Sequence, residues 1–431
     1  MRYISLPDNI ETEVFVLDRC ALAETPQVLK KYFPARKIQI IADGNTWRVA
    51  GEKTQTICRN AGLSEYPPII LPAEPKPHPD YALSEELAGK FADDCVPLAI
   101  GSGVINDLVK CAADIKKLRY CCRATAPSVD GYTASGGAMS VAGQKKTVPC
   151  PAPYALIADK EVLQTAPREM MAAGYADLMS KVTGGADWII ADTLEIEKIV
   201  PAIWSLVQDD LRDNLADHND LEKLFLGLAA TGYAMQMYHD SRPASGAEHL
   251  CSHVWEMEHL VFNGEEVSHG FKVGIGVLAI SQLHEFVINT PVETAKKLAQ
   301  APLTRDQRIA EIDDLLKKGC YGNTIASLAL NKTPFNEDMA ARRELIFKNW
   351  GTLQQLLRQQ SLPTETLRQM LKKAQAPTHF EEIGLTAEQY YHGIKTAQLI
   401  RNRYTVLDML YEAGLLDEAI KSIKQLSSKL L

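Results

Sequence analysis

With 431 residues the chain is longer than a single growing core supports, so two domains are expected. A content of 46% hydrophobic and 23% charged residues is that of an ordinary globular protein. The net charge of −8 argues against a nucleic-acid binder, because phosphate backbones select basic surfaces, and leaves room for an anionic substrate only where cations cluster locally.

Nine scattered cysteines, odd in number and without a C-x-x-C pair, make no disulfide framework and are read as reduced core residues. The start MRYISLPDNIETEV has no apolar core of a signal peptide, and no stretch approaches the ~20 apolar residues of a spanning helix. A cytoplasmic protein with no membrane and no nucleic-acid partner is expected.

The run KIQIIA at 37–42 predicts a strand that ends at Asp43, with a helix from about Trp47 to Ala61 closed by Gly62. Residues 67–71 predict a second strand, Ser84 an N-cap for a helix to Asp94, and Val96 to Ile100 a third strand ending at Gly101. Strands alternating with helices signal a parallel α/β sheet. Gly101-Ser102-Gly103 then opens a helix near Val104; such a turn lets backbone approach a ligand, and the helix start offers unpaired N–H groups to an anion. It also fits a plain tight turn. Tyr120 to Ala124 predicts another strand, running into the polar loop Thr125 to Tyr132, in which Asp130-Gly131 is equally a common turn pair. Gly136, Gly137, Gly143 and the pair Lys145-Lys146 predict a hairpin or glycine-rich loop, and Tyr154 to Ala158 one more strand.

From Thr165, a candidate N-cap ahead of Pro167, the pattern is helical almost to the end, with helices at about 187–200, 221–239, 247–261 and 268–289. The domain boundary is placed near 160–166, giving residues 1–163 and 164–431. The fold class expected is an α/β N-terminal nucleotide-binding domain followed by an all-α C-terminal domain.

A catalytic divalent metal takes three ligands from imidazoles and carboxylates and keeps a position open. His249 and His253 are four apart, on one face of a helix, and His269 begins the next helix. Asp177, among apolar neighbours on an earlier helix, completes such a set. Each also has a plain structural reading as a hydrogen-bonded core group, and the sequence between the first two histidines, Leu-Cys-Ser, lacks the glutamate of a zinc-protease helix.

The segments GSGVINDLVK, TAPSVDGY, GYADLMSK, SGAEHLCSH and SHGFKVGIG occur in the order found in the glycerol-1-phosphate dehydrogenases. The chain resembles that branch of the iron-containing alcohol dehydrogenase and dehydroquinate synthase-like superfamily over roughly residues 30 to 290. The resemblance implies a metal-dependent oxidoreductase that reduces dihydroxyacetone phosphate to sn-glycerol 1-phosphate reversibly with NAD(P)H, in phospholipid metabolism. It implies a homo-oligomer, with a dimer favoured. Asp177, His249 and His269 match the zinc or nickel ligands, and His253 and Asp130 match substrate-contacting residues. Gly103, Val104, Ile105, Asn106, Asp107, Thr125, Ala126, Pro127 and Ser128 match segments that touch the dinucleotide. Asp43 matches the acidic residue beside the adenosine ribose, which favours NAD over NADP, with Arg48 nearby to offset it. One departure is Ala134, where the family usually has serine, followed by Ser135.

For the substrate phosphate, Lys145, Lys146, Lys272 and Arg242 are the candidate cations, with Lys110 either serving the same region or lying on a solvated face. Competing expectations are a glycerol or other polyol dehydrogenase, a lyase or synthase that recycles bound NAD, and a catalytically inert nucleotide-binding homologue.

Overall fold

A computed structural model describes residues 3–141, 144–319, 321–322 and 324–430. The chain divides into a first unit of residues 1–178 and 212–240 and a second of residues 179–211 and 241–431.

The first unit is built on a six-stranded sheet ordered β1-β8-β5-β4-β2-β3. The strands are β1 (Val14–Asp18), β2 (Lys37–Asp43), β3 (Ile69–Leu71), β4 (Cys95–Gly101), β5 (Cys121–Ala124) and β8 (Ala155–Asp159). Every pairing is parallel, so both faces are covered and the strands are mostly apolar, with Gln39 and Arg123 buried among them. Successive residues point to opposite faces. Thus Phe15 and Leu17 pack with Leu108 and Val109 of the helix Gly103–Ile115 and with Phe225, Ala229 and Tyr233 of the helix Leu221–Tyr238. Val14 and Val16 join Ile38, Leu98 and Val28 on the other face. The expected hairpin is β6 (Gly137–Val141) and β7 (Gln144–Val148), paired antiparallel; Gly143 lies outside the described residues.

Several expectations are corrected. Strand β1 and the helix Thr25–Tyr32, absent from the sequence reading, begin the unit. The helix placed at 84–94 is Tyr81–Lys90, and Asp80, not Ser84, is its cap, accepting from the Ala82 N–H at 3.0 Å, while Ser84 is buried. The helices placed from 165 and over 187–200 are largely one, Arg168–Thr193. The Thr165 hydroxyl donates to Val162 O instead of capping that helix. Cys20 is exposed, against the expectation of a core thiol; the other described cysteines are buried, and Cys320 lies outside the described residues.

The second unit is mostly helical, with one short hairpin of Val261–Phe262 and Glu265–Glu266 turned by Asn263 and Gly264, both at positive φ. Its core gathers Leu250, Val254, Trp255, Ile280, Leu283, Trp350, Leu353 and Leu407. The helix His269–Asn289 is long and apolar enough to cross a membrane, with mean hydropathy 1.4, contrary to the sequence expectation, and 72% of that window is buried inside the protein.

Candidate active site

The sheet brings the dinucleotide-type residues to the carboxyl ends of three adjacent strands. Asp43 ends β2, Gly101 ends β4 and Thr125 follows β5, the edge at which parallel α/β sheets bind ligands. Gly101 is required where it stands, because a Cβ there would lie 2.5 Å from Ile105 Cβ. Its carbonyl accepts the Thr125 N–H at 3.0 Å, which ties the two loops together. Ser102 caps the next helix without a side-chain bond, so the amides of Gly103, Val104 and Ile105 are not closed by its hydroxyl. The Asp43 Oδ1 atom accepts from the Asn45 and Thr46 N–H groups at 2.7 and 2.9 Å, so this carboxylate also caps the turn after β2. Arg48 donates to Gly44 O and to the Asn45 side chain.

The loop after β5 is held from below. Lys110, expected at a phosphate or on a solvated face, is instead buried and donates to Gly131 O, Ala134 O and Gly136 O at 3.1, 2.9 and 2.9 Å, with Asp107 at 3.3 Å. Its charge goes to three carbonyls of the loop. Asn106, also buried, donates to Gly131 O and accepts from the Tyr120 hydroxyl. Asp107 accepts the Ala138 N–H, and the Tyr132 hydroxyl donates to Ala126 O at 2.6 Å. Ser135 is turned to Glu11, donating to its Oε2 at 3.0 Å. Asp130 is half-buried, and its N–H donates to Oδ2 of the fully buried Asp177 at 3.1 Å.

In the second unit the helices Ala247–Met257 and His269–Asn289 bring three imidazoles together. Ring centroids are 5.3 Å apart for His249 and His269, 6.2 Å for His253 and His269 and 6.5 Å for His249 and His253. Two carboxylates that sequence reasoning missed stand behind them. Glu248 Oε1 is 2.9 Å from His249 Nδ1. Glu256 lies 3.2 Å from His253 Nδ1 and 3.4 Å from His269 Nδ1. The signal was present, since His249, His253 and Glu256 follow one another at helical spacing along one face. Burial pushes Glu256 upward, but the Lys272 ammonium and the two histidines hold its carboxyl well below the usual range. Burial likewise opposes ionisation of Glu248, and the His249 hydrogen bond and charge bring it below its ordinary value. Burial takes His253 down to about 4, against the upward pull of Glu256, with Arg401 and His269 lowering it further. His253 is therefore neutral at physiological pH.

Among the candidate phosphate cations whose side chains are described, only Lys272 belongs to this cluster, 2.9 Å from Glu256 Oε1. Arg242 is corrected: its guanidinium is buried, donating to Tyr404 O and Asp187 O at 3.0 Å each and pairing with Glu197. Lys146 is exposed on β7, and the Lys145 side chain lies outside the described residues.

Residues 16–167 match the family of iron-containing alcohol dehydrogenases. A glycerol-1-phosphate dehydrogenase, NAD(P)+, of Bacillus licheniformis is 34% identical over 64% of this chain and 71% of its own. One from Bacillus subtilis is 30% identical over 87% of this chain and 85% of its own. Among solved structures, glycerol dehydrogenase from Schizosaccharomyces pombe shares the fold with a TM-score of 0.60 at 16% identity, covering 96% of this chain and 89% of that one. With a parallel α/β sheet, a helical second unit and relatives of this similarity, the chain belongs to the glycerol-1-phosphate dehydrogenase family of the iron-containing alcohol dehydrogenases.

Proposed function

We propose that this protein is an NAD(P)-dependent dehydrogenase that reversibly reduces dihydroxyacetone phosphate to sn-glycerol 1-phosphate. The observation that carries the reading is the cluster of His249, His253 and His269 with Lys272 beside it, in a chain 34% identical to a glycerol-1-phosphate dehydrogenase.

Asp177, His249 and His269 are the proposed metal ligands, a carboxylate with two imidazoles being the donor set of a catalytic zinc or nickel site. The side chains fit that role, since both imidazoles set Nδ1 against a carboxylate, the orienting contact of a metal-bound histidine. When bound, the metal polarises the C2 carbonyl and the dinucleotide supplies hydride to that carbon. The chain's own groups do the rest. His253, neutral and with Nδ1 turned to Glu256, offers Nε2 as acceptor to a substrate hydroxyl. Asp130 contacts the substrate from the loop after β5. Lys272 supplies positive charge for the phosphate, which an otherwise acidic protein provides sparingly. Gly103, Val104, Ile105, Asn106 and Asp107, with Thr125, Ala126, Pro127 and Ser128, take the dinucleotide, and Asp43 favours NAD through the ribose hydroxyls.

Steady-state oxidation of NADH and NADPH with dihydroxyacetone phosphate and with dihydroxyacetone, before and after metal stripping, tests the reading. Activity should vanish on stripping, return with zinc or nickel and prefer the phosphorylated ketone. Equal rates with dihydroxyacetone support a polyol dehydrogenase instead.

A further inference from the structure

We propose that Glu256 is a positioning residue that fixes the tautomers of His253 and His269 and seats Lys272 at the same place; the inference rests on the reading of His269 as a metal ligand. Glu256 lies in the last turn of the helix Ala247–Met257, with its side chain 11% exposed. Both of its oxygens are engaged: Oε2 lies 3.2 Å from His253 Nδ1, and Oε1 lies 3.4 Å from His269 Nδ1 and 2.9 Å from Lys272 Nζ. A carboxylate paired with an ammonium only accepts hydrogen bonds, so each ring carries its hydrogen on Nδ1. The Nε2 lone pairs then point away from Glu256, where the one on His269 would hold a metal and the one on His253 would accept from a substrate hydroxyl.

On the far side of the cluster Glu248 does the same for His249. The two carboxylates differ in what anchors them. Glu248 accepts from the Gly246 N–H at 2.6 Å and the Thr183 hydroxyl at 2.9 Å, so backbone and a buried hydroxyl fix it. Glu256 is balanced by Lys272, the cation proposed for the substrate phosphate. One side chain therefore orients a metal ligand, a substrate-contacting imidazole and the phosphate-binding charge together.

The test is zinc affinity of the full chain by chelator competition, with KM and kcat for dihydroxyacetone phosphate, in wild type, E256Q and K272M. Losing a carboxylate behind a metal-bound imidazole weakens affinity by about 10- to 100-fold. E256Q should show that weakening and a raised KM; K272M, which keeps the carboxylate behind His269, should raise KM with a smaller loss of zinc affinity than E256Q. Zinc held by E256Q as tightly as by wild type overturns the role of Glu256 alone. A wild-type chain that takes up no stoichiometric zinc overturns the ligand assignment as well. If E256Q does not fold, imidazole nitrogen shifts of the wild-type protein decide: hydrogen on Nδ1 of His253 and His269 supports the proposal, and hydrogen on Nε2 overturns it.

Discussion

The carbonyl oxygen of Pro127 fills the space that a side chain at Gly174 needs: a Cβ built there would stand 1.8 Å from it. The helix Arg168–Thr193 thus supports the loop after β5 through bare backbone, three residues ahead of Asp177. Gly174→Ala has to push that loop outward. Overpacking of this kind costs about 1–3 kcal/mol, read by chemical denaturation, and KM for NADH should rise severalfold.

Asp187 is a buried carboxylate that organises the second unit. Its Oδ2 accepts the Ala247 N–H at 2.7 Å, and its Oδ1 accepts the Val406 N–H at 2.9 Å and lies 3.1 Å from His284 Nε2. It therefore seats the start of the helix that carries His249 and His253. Asp187→Ala leaves three buried groups without this partner and should cost about 3–5 kcal/mol, measured by urea unfolding. Metal content should fall with it.

Cys20 is the exposed thiol among the described cysteines, and the charge of Glu161 raises its pKa, with burial and Asp159 adding to the effect. In a C320S background, a thiol-exchange reagent should titrate one group quickly in the native protein. Its rate should climb with pH beyond the range of an ordinary thiol, and E161Q should make it faster at pH 8. Rapid modification of several thiols would contradict the packing described.

His253 gives a pH dependence. The unfolded imidazole takes up its proton near 6.5 and the folded one near 4, so between those values the unfolded chain binds the extra proton. Stability of the metal-free protein should therefore fall as pH drops through this window, by at most about 3 kcal/mol. His253→Gln should flatten that slope in urea titrations at pH 4.5 and 6.5.

The parallel sheet was legible because its strands are apolar runs that stop at Asp43, Gly101 and Asp159, each followed by a helical pattern. β1 carries the same signal, the apolar run VFVLD ending at Asp18, and the sequence reading passed over it; its pairing with Ala155–Asp159 appears only in the fold. Gly184 and Gly185 lie inside the single helix Arg168–Thr193, which the sequence reading divided near 187. Close packing there leaves no room for side chains: a Cβ at Gly184 would meet Gly246 N at 3.3 Å, and one at Gly185 would meet Gln208 and Gln360 Nε2 at 2.7 Å. Lys110 and Arg242 were visible only as charges, and their burial against carbonyls is a property of the folded chain. Glu256 was open to discovery through its spacing from His249 and His253, but its tie to His269 and Lys272 depends on how two helices pack.

The central claim is tested most directly by chiral analysis of the product formed from dihydroxyacetone phosphate and NADH by the zinc- or nickel-loaded protein. Stoichiometric NADH oxidation yielding sn-glycerol 1-phosphate is the result predicted. Formation of sn-glycerol 3-phosphate, or no NADH oxidation with this substrate while glycerol is oxidised with NAD, would contradict it.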